Sequence, residues 1–267
     1  MIYAICLNEQ QNFNTNGDML FEMQLLQENL DMSYYLTTRS IINESLEDIT
    51  AKIKKIIDTI RSFILRLLDT IKAKLKPIIT KIKTFFASGE RRRDMKNTIK
   101  NVEIIKPTKL MEDLALAIQV PPFNMAINID ERLTAEEMEE KYIEYELHDS
   151  KFKSISDITD DDLLTVKYED INKFDKMVYE TRKNTSSIIE VFDNIDKFKK
   201  DAEMSITHLY ESLTRRIVDQ DILNIKLNNL KNTAAVYGKC CNLFIRAASK
   251  YVVNIDKIIN MTEHERK

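Results

Sequence analysis

Three histidines, three cysteines and two clusters of carboxylates are the side chains of this sequence with catalytic or ligating potential. Glu144 and His148 stand four residues apart, a spacing that puts both on one helical face, as two ligands of a metal centre would be. No third ligand accompanies them, so the pair reads as an acidic surface helix carrying one imidazole; His208 and His264 are isolated. The run "DITDDD" lacks the glycine and the alternating spacing of a calcium loop, which leaves Asp160, Asp161 and Asp162 as a cluster at a helix N-terminus. Cys6, Cys240 and Cys241 are odd in number and two are adjacent, the pattern of reduced, semi-buried small apolar residues in a cytoplasmic protein and not of a disulfide framework. There is no phosphate-binding glycine loop, no nucleophile elbow and no Cys-x-x-Cys motif. The sequence assigns no catalytic, cofactor-binding or metal residue, and the expectation is a protein that is not an enzyme.

The elements around these residues read as helices. Only 3 glycines occur in 267 residues, against 11 Met, 11 Phe and 10 Tyr, and helices need few positions with positive φ. The overall net charge of −3 conceals a polarity. Residues 51 to 93 hold 13 Lys and Arg against 3 Asp and Glu, whereas residues 134 to 170 hold 13 acidic against 4 basic, so the two stretches either face each other or each await a partner. "MIYAICL" is too short and lacks the basic flank of a signal peptide, and no run reaches the length of an uncharged membrane span.

Four segments follow. Residues 1–44 form an arm and a short helix, from near Asp18 to about Thr37, with Leu20, Met23, Leu26 and Leu30 on one face. Residues 45–93 form a long basic amphipathic helix, capped by Ser45 with Asp48 or by Asn43, stopped at Gly89, and kinked or broken near Ala73 by Pro77. Residues 94–158 are a small mixed segment: "TIKNVEIIKP" and "FNMAINID" are β-branched, short and bounded by prolines, which predicts two brief strands around a helical turn "LMEDLALAI". An acidic helix follows, with Thr134 as N-cap and Glu137 at its third position. Residues 159–267 are a helical bundle: one helix from Thr159 or Asp160 to about Thr181, a second from Ser186 to about Thr214, a third from about Asp219 to Tyr237, and a fourth after Gly238, from Lys239 to Met261. The fold class is mainly α, with the long N-terminal helix packed on a helical bundle and a small two-stranded β element in the middle.

The stretch "ITAKIKKIIDTIRSFILRLLDTIKAKLKPIITKIKTFF" carries the sharpest signal. Advancing about 100° per residue, 17 large apolar side chains from Leu46 to Phe86 fall within an arc of roughly 160° that does not drift over the whole helix. A strict heptad would precess by about 20° per repeat, so this is no long two-stranded coiled coil. Such a stripe suits a broad surface. The first expectation is the C-terminal helices, with Ile188, Ile189, Phe192, Ile195 and Phe198 covering it. The second is an anionic membrane interface, with Lys54, Lys72, Lys76 and Lys83 on one flank and Lys52, Lys74 and Lys81 on the other snorkelling to head groups. The third is nucleic acid, whose phosphates the lysines and "ERRR" would contact. Arg91, Arg92 and Arg93, with Lys72, Lys76 and Lys83, are the expected partner-binding residues.

An arm reading "CLNEQQNFN", then a Lys-, Ile- and Phe-rich amphipathic helix, then a helical body without catalytic motifs, resembles the virion-associated and internal structural proteins of large tailed bacteriophages. The likeness spans roughly the first ninety residues and is one of style and composition. It implies a virion component, oligomeric and assembled with other protein subunits, located in the virion or the host cytoplasm. Some such families are trimmed after an Ile/Leu-x-Glu tripeptide, a pattern that Leu7-Asn8-Glu9 and Ile42-Asn43-Glu44 both fit. The alternative function is a peripheral membrane-binding protein that uses residues 45–88.

Overall fold

A computed structural model describes residues 28, 46–87, 109–119, 123–147, 154–159, 162, 174–215 and 220–264. Its elements, in chain order, are α1 (Leu46–Ala87), α2 (Lys109–Gln119), α3 (Phe123–Ile127), α4 (Ala135–Glu146), a 3₁₀ turn (Ile155–Asp157), α5 (Phe174–Arg215) and α6 (Gln220–His264). The protein is mainly helical, and its long N-terminal helix is present.

Apolar periodicity explains α1. All fifteen stripe residues whose side chains are described, Ile49 through Phe85, are buried, and each is worth about 1.5–3 kcal/mol relative to exposure. The arc is wide because α1 serves two partners, packing along both α5 and α6. Those two helices touch each other far less, standing apart like diagonal members of a four-helix bundle. α1 fills one space between them, while α2 and α3 also bridge them without substantial contact with α1. Three ion pairs fix the direction: Arg61 with Glu203, Asp69 with Lys199 and Lys72 with Asp196. As numbers rise on α1 they fall on α5, so the two helices are antiparallel. On α5, Ile188, Val191, Ile195, Phe198 and Ala202 are buried at alternating three- and four-residue steps, and Ile189 and Phe192 pack at the edge, which is the cover expected for the stripe.

α6 is a different kind of helix. Between Asn229 and Val252 it buries residues on most of its circumference, including Tyr237, Cys240, Cys241, Phe244 and Ala248, as a helix enclosed by neighbours must. Those neighbours are α1, α2, α3 and α4, with lighter contact from α5 and the 3₁₀ turn. One continuous hydrophobic cluster joins α1, α2, α3, α4, α5, α6 and the 3₁₀ turn.

Four expectations need correction. No strand occurs among the described residues; "FNMAI" forms α3, and the other expected strand, within 98–107, lies outside them. A five-residue run is too short for periodicity to separate strand from helix, and the prolines at 121 and 122, which can bound a strand, can equally precede a helix start. The expected break between Thr181 and Ser186 is absent, since α5 runs through it for 42 residues. Gly238 does not end a helix either: it is buried inside the 45-residue α6, where tertiary packing outweighs a propensity cost of about 1 kcal/mol. Of the kink or break expected from Pro77, the break is absent: α1 is continuous from Leu46 to Ala87, with Pro77 and Ala73, whose carbonyl loses its helical donor, both on the exposed face. Apart from Glu28, which is helical and exposed, the helix expected near residues 18–37 falls outside the described residues, as do the caps at Asn43, Ser45 and Gly89, and Arg91, Arg92 and Arg93.

Candidate interaction surface

The outward face of α1 is set by the same period that buries its stripe. Lys54, Lys55, Arg66, Lys76, Lys81 and Lys83 are exposed, and Lys72 and Lys74 are half-buried at its shoulders. Thr59, Thr70, Thr80 and Thr84 each donate a hydroxyl to the carbonyl four residues earlier, which satisfies β-branched polar residues within the helix. From Thr70 to Ala87 the helix contains no acidic residue.

Lys72, Lys76 and Lys83 share one row along the α5 side, within about 40° of arc at 100° per residue. They do not share one environment. Lys72 Nζ donates to Asp196 Oδ2 at 2.5 Å, and this bond holds the Asp196 carboxyl below the ordinary aspartate value. Lys76 and Lys83 make no ion pair with any described residue, although Asp193 and Glu190 are exposed on the same end of α5. Of the expected partner-binding lysines, the structure therefore places one in an intramolecular bridge and two facing solvent.

The acidic stretch folds elsewhere. α4 packs on α6 and α2 and not substantially on α1. Its start is the expected capping box: Glu137 N donates to Thr134 Oγ1 at 3.2 Å and Thr134 N donates to Glu137 Oε2 at 2.8 Å. The backbone bond to Thr134, then its hydroxyl, holds the Glu137 carboxyl below its usual range. Glu136, Glu140 and Glu144 form an exposed row at four-residue steps and make no ion pair with described residues.

Sequence reasoning missed a set of buried polar contacts on α6. Asn229 accepts from Leu133 N at 3.1 Å and donates to the Glu131 carbonyl at 2.9 Å, while Asn228 and Asn232 both donate to the Leu133 carbonyl. Lys226 Nζ donates to the Ile127 carbonyl at 2.8 Å and pairs with Asp130 at 3.0 Å. Tyr237 donates its hydroxyl to the Ile118 carbonyl at 2.7 Å, which satisfies the end of α2. Glu139, with its side chain only 4% exposed, accepts from Ile155 N at 2.6 Å, from Ser154 Oγ at 2.9 Å and from Lys239 Nζ at 2.5 Å. These groups pin the connections on either side of α4 to the spine. Their signal was asparagine and threonine, poor helix formers, at helical spacing within 228–233.

Cys240 and Cys241 are buried thiols. Burial, then the neighbouring Cys240, pushes the Cys241 thiol well above its ordinary value, and a protonated thiol is neither nucleophile nor metal ligand. Asp162 accepts from both the backbone N–H and the hydroxyl of Thr159, at 3.0 and 2.7 Å, the helix-start arrangement read from the acidic run; Asp160, Asp161 and His148 lie outside the described residues. Among the described residues, no group of three or more His, Cys, Asp or Glu is placed to hold a metal ion, and no helix is long and apolar enough to cross a membrane. No protein-family model matches the chain, and no curated protein or solved structure is significantly similar to it.

Proposed function

We propose that this chain is a non-enzymatic structural protein that assembles with other protein subunits through helical and electrostatic contacts, most simply as a component of a bacteriophage virion. One observation carries the assembly reading: the apolar stripe of α1 is consumed within the fold, while Lys76 and Lys83 on its outer shoulder face solvent without an ion pair to any described residue. Those lysines stabilise little by themselves and cost like-charge repulsion with Lys72 along one helix. A partner's carboxylates would relieve it. The virion setting rests on the resemblance of the first ninety residues.

Membrane binding through residues 45–88 fits less well, because insertion needs the apolar face that the core already occupies. Density-gradient fractionation of particles from lysed cells producing the protein tests the proposal. The chain is expected to sediment with assembled particles and to be released as salt is raised. Flotation with anionic vesicles, in place of sedimentation with particles, would favour the membrane reading.

A further inference from the structure

We propose that the exposed lysine row of α1 docks a second copy of this chain, whose glutamate row on α4 lies against it. The inference rests on the assembly reading above and names the partner. Lys76 and Lys83 lie seven residues apart on α1, about 10 Å along the axis. Glu136, Glu140 and Glu144 on α4 span eight residues, about 12 Å. The rows match in length, are opposite in charge and are both exposed. Neither is paired with described residues of its own chain, and α4 packs on α6 and α2 without substantial contact with α1, so the two rows belong to different parts of the described chain.

The glutamate row repels itself at its four-residue spacing, and each row carries the charge that the other lacks. The exposed crest beside the lysines, Ala73 and Thr80, is small and uncharged, which lets a helix approach. A net charge of −3 leaves little overall repulsion between copies. The two rows occupy different surfaces, so the contact is heterologous. It leaves one free row at each end and propagates into a ring or an open chain.

The experiment is sedimentation velocity on the full chain at about 50 mM and about 500 mM salt, a range over which screening between exposed charges rises steeply. Wild type is expected to self-associate at low salt and to dissociate at high salt. Lys76→Glu/Lys83→Glu and Glu136→Lys/Glu140→Lys, each with an unchanged melting curve, are expected to be monomeric alone and to associate when mixed, since the mixture restores opposite rows. Where a reversal disturbs folding, the glutamine variants at the same positions replace it, and mixing them is expected to restore nothing. A wild type that stays monomeric at low salt, or association that the reversals leave unchanged, overturns the assignment. So does a monomeric wild type that binds duplex DNA or phosphatidylserine vesicles through the same lysines. If the chain still sediments with particles while monomeric alone, the second-copy assignment falls and the assembly reading stands.

Discussion

Along the α1–α5 seam, polar side chains meet at the rim: Arg61 with Glu203, Asp69 with Lys199 and Lys72 with Asp196 bridge two helices over an apolar interior, and in each pair at least one side chain stays substantially in water. Around α6 the polar groups point inward: Asn229, Asn232 and Tyr237 bond backbone atoms of the connection before α4 and of the end of α2, and Glu139 of α4 accepts from Ile155 N, Ser154 Oγ and Lys239 Nζ. The seam joins two regular helices whose backbones are already satisfied, so it needs only area and accepts charge at its edge. The spine joins a helix to irregular chain, whose buried N–H and C=O groups must find partners. Burial energy therefore dominates the first region and hydrogen-bond satisfaction the second, and substitutions should separate the two.

Ile60→Asp should have the largest effect. Ile60 is 1% exposed in the centre of the stripe, and the change removes an apolar side chain while burying an unpaired carboxylate. The expected loss is on the order of 4–5 kcal/mol, which a chemical denaturation curve would show as a missing folded baseline. An unchanged midpoint would mean that α1 does not pack on α5 and α6.

Asn229→Leu breaks the spine at intermediate cost. It leaves Leu133 N and the Glu131 carbonyl without their partner at a fully buried side chain, for an expected loss of about 2–3 kcal/mol. Tyr237→Phe removes one bond to the Ile118 carbonyl and should cost about 1 kcal/mol. Hydrogen exchange adds a finer reading: Asn229→Leu should raise exchange in residues 131–134 before it raises exchange in α1.

This contrast also marks where the sequence was legible. Fifteen described stripe residues, the Thr134–Glu137 box, the Thr159–Asp162 pair and the covering face of Ile188, Ile195 and Phe198 were all readable, because each is a local pattern repeated at helical spacing. The length of α5, the passage of α6 through Gly238 and the helical state of "FNMAI" were not, because each depends on chain more than a hundred residues away or on a run too short to have a period. Of the candidate surface, Lys76 and Lys83 were readable as outward-facing. That Lys72 belongs to Asp196 needed the register of α1 on α5. The asparagine clasp was hidden for a similar reason: its partners are backbone atoms, which leave no trace in residue type.

Lys199→Ala tests how little the seam's rim contributes. It removes the pair with Asp69, whose side chain is 63% exposed, and the expected change is within about 0.5 kcal/mol. A double-mutant cycle with Asp69→Ala should give a coupling of the same small size, shrinking further at high salt. A coupling several times larger would place the rim beside the core as a source of stability and erase the distinction between the two regions.

Acid titration addresses the exposed carboxylates at their weakest. Glu137 is held below its usual value chiefly by the backbone N–H of Thr134, and Asp196 chiefly by the hydrogen bond from Lys72. A carboxyl whose folded value is depressed gives its full stability above the unfolded value, near about pH 4, and loses it as pH falls through the folded value. Glu137→Gln keeps an acceptor for Thr134 N without the charge, and Asp196→Asn does the same toward Lys72. Each variant should therefore be slightly less stable than wild type at neutral pH, and the gap should close as pH drops below the ordinary carboxylate range. Urea denaturation of wild type and both variants across that range makes the comparison. A gap that persists unchanged into acid would mean that these side chains act through shape, and that neither the α4 cap nor the seam's rim draws on charge.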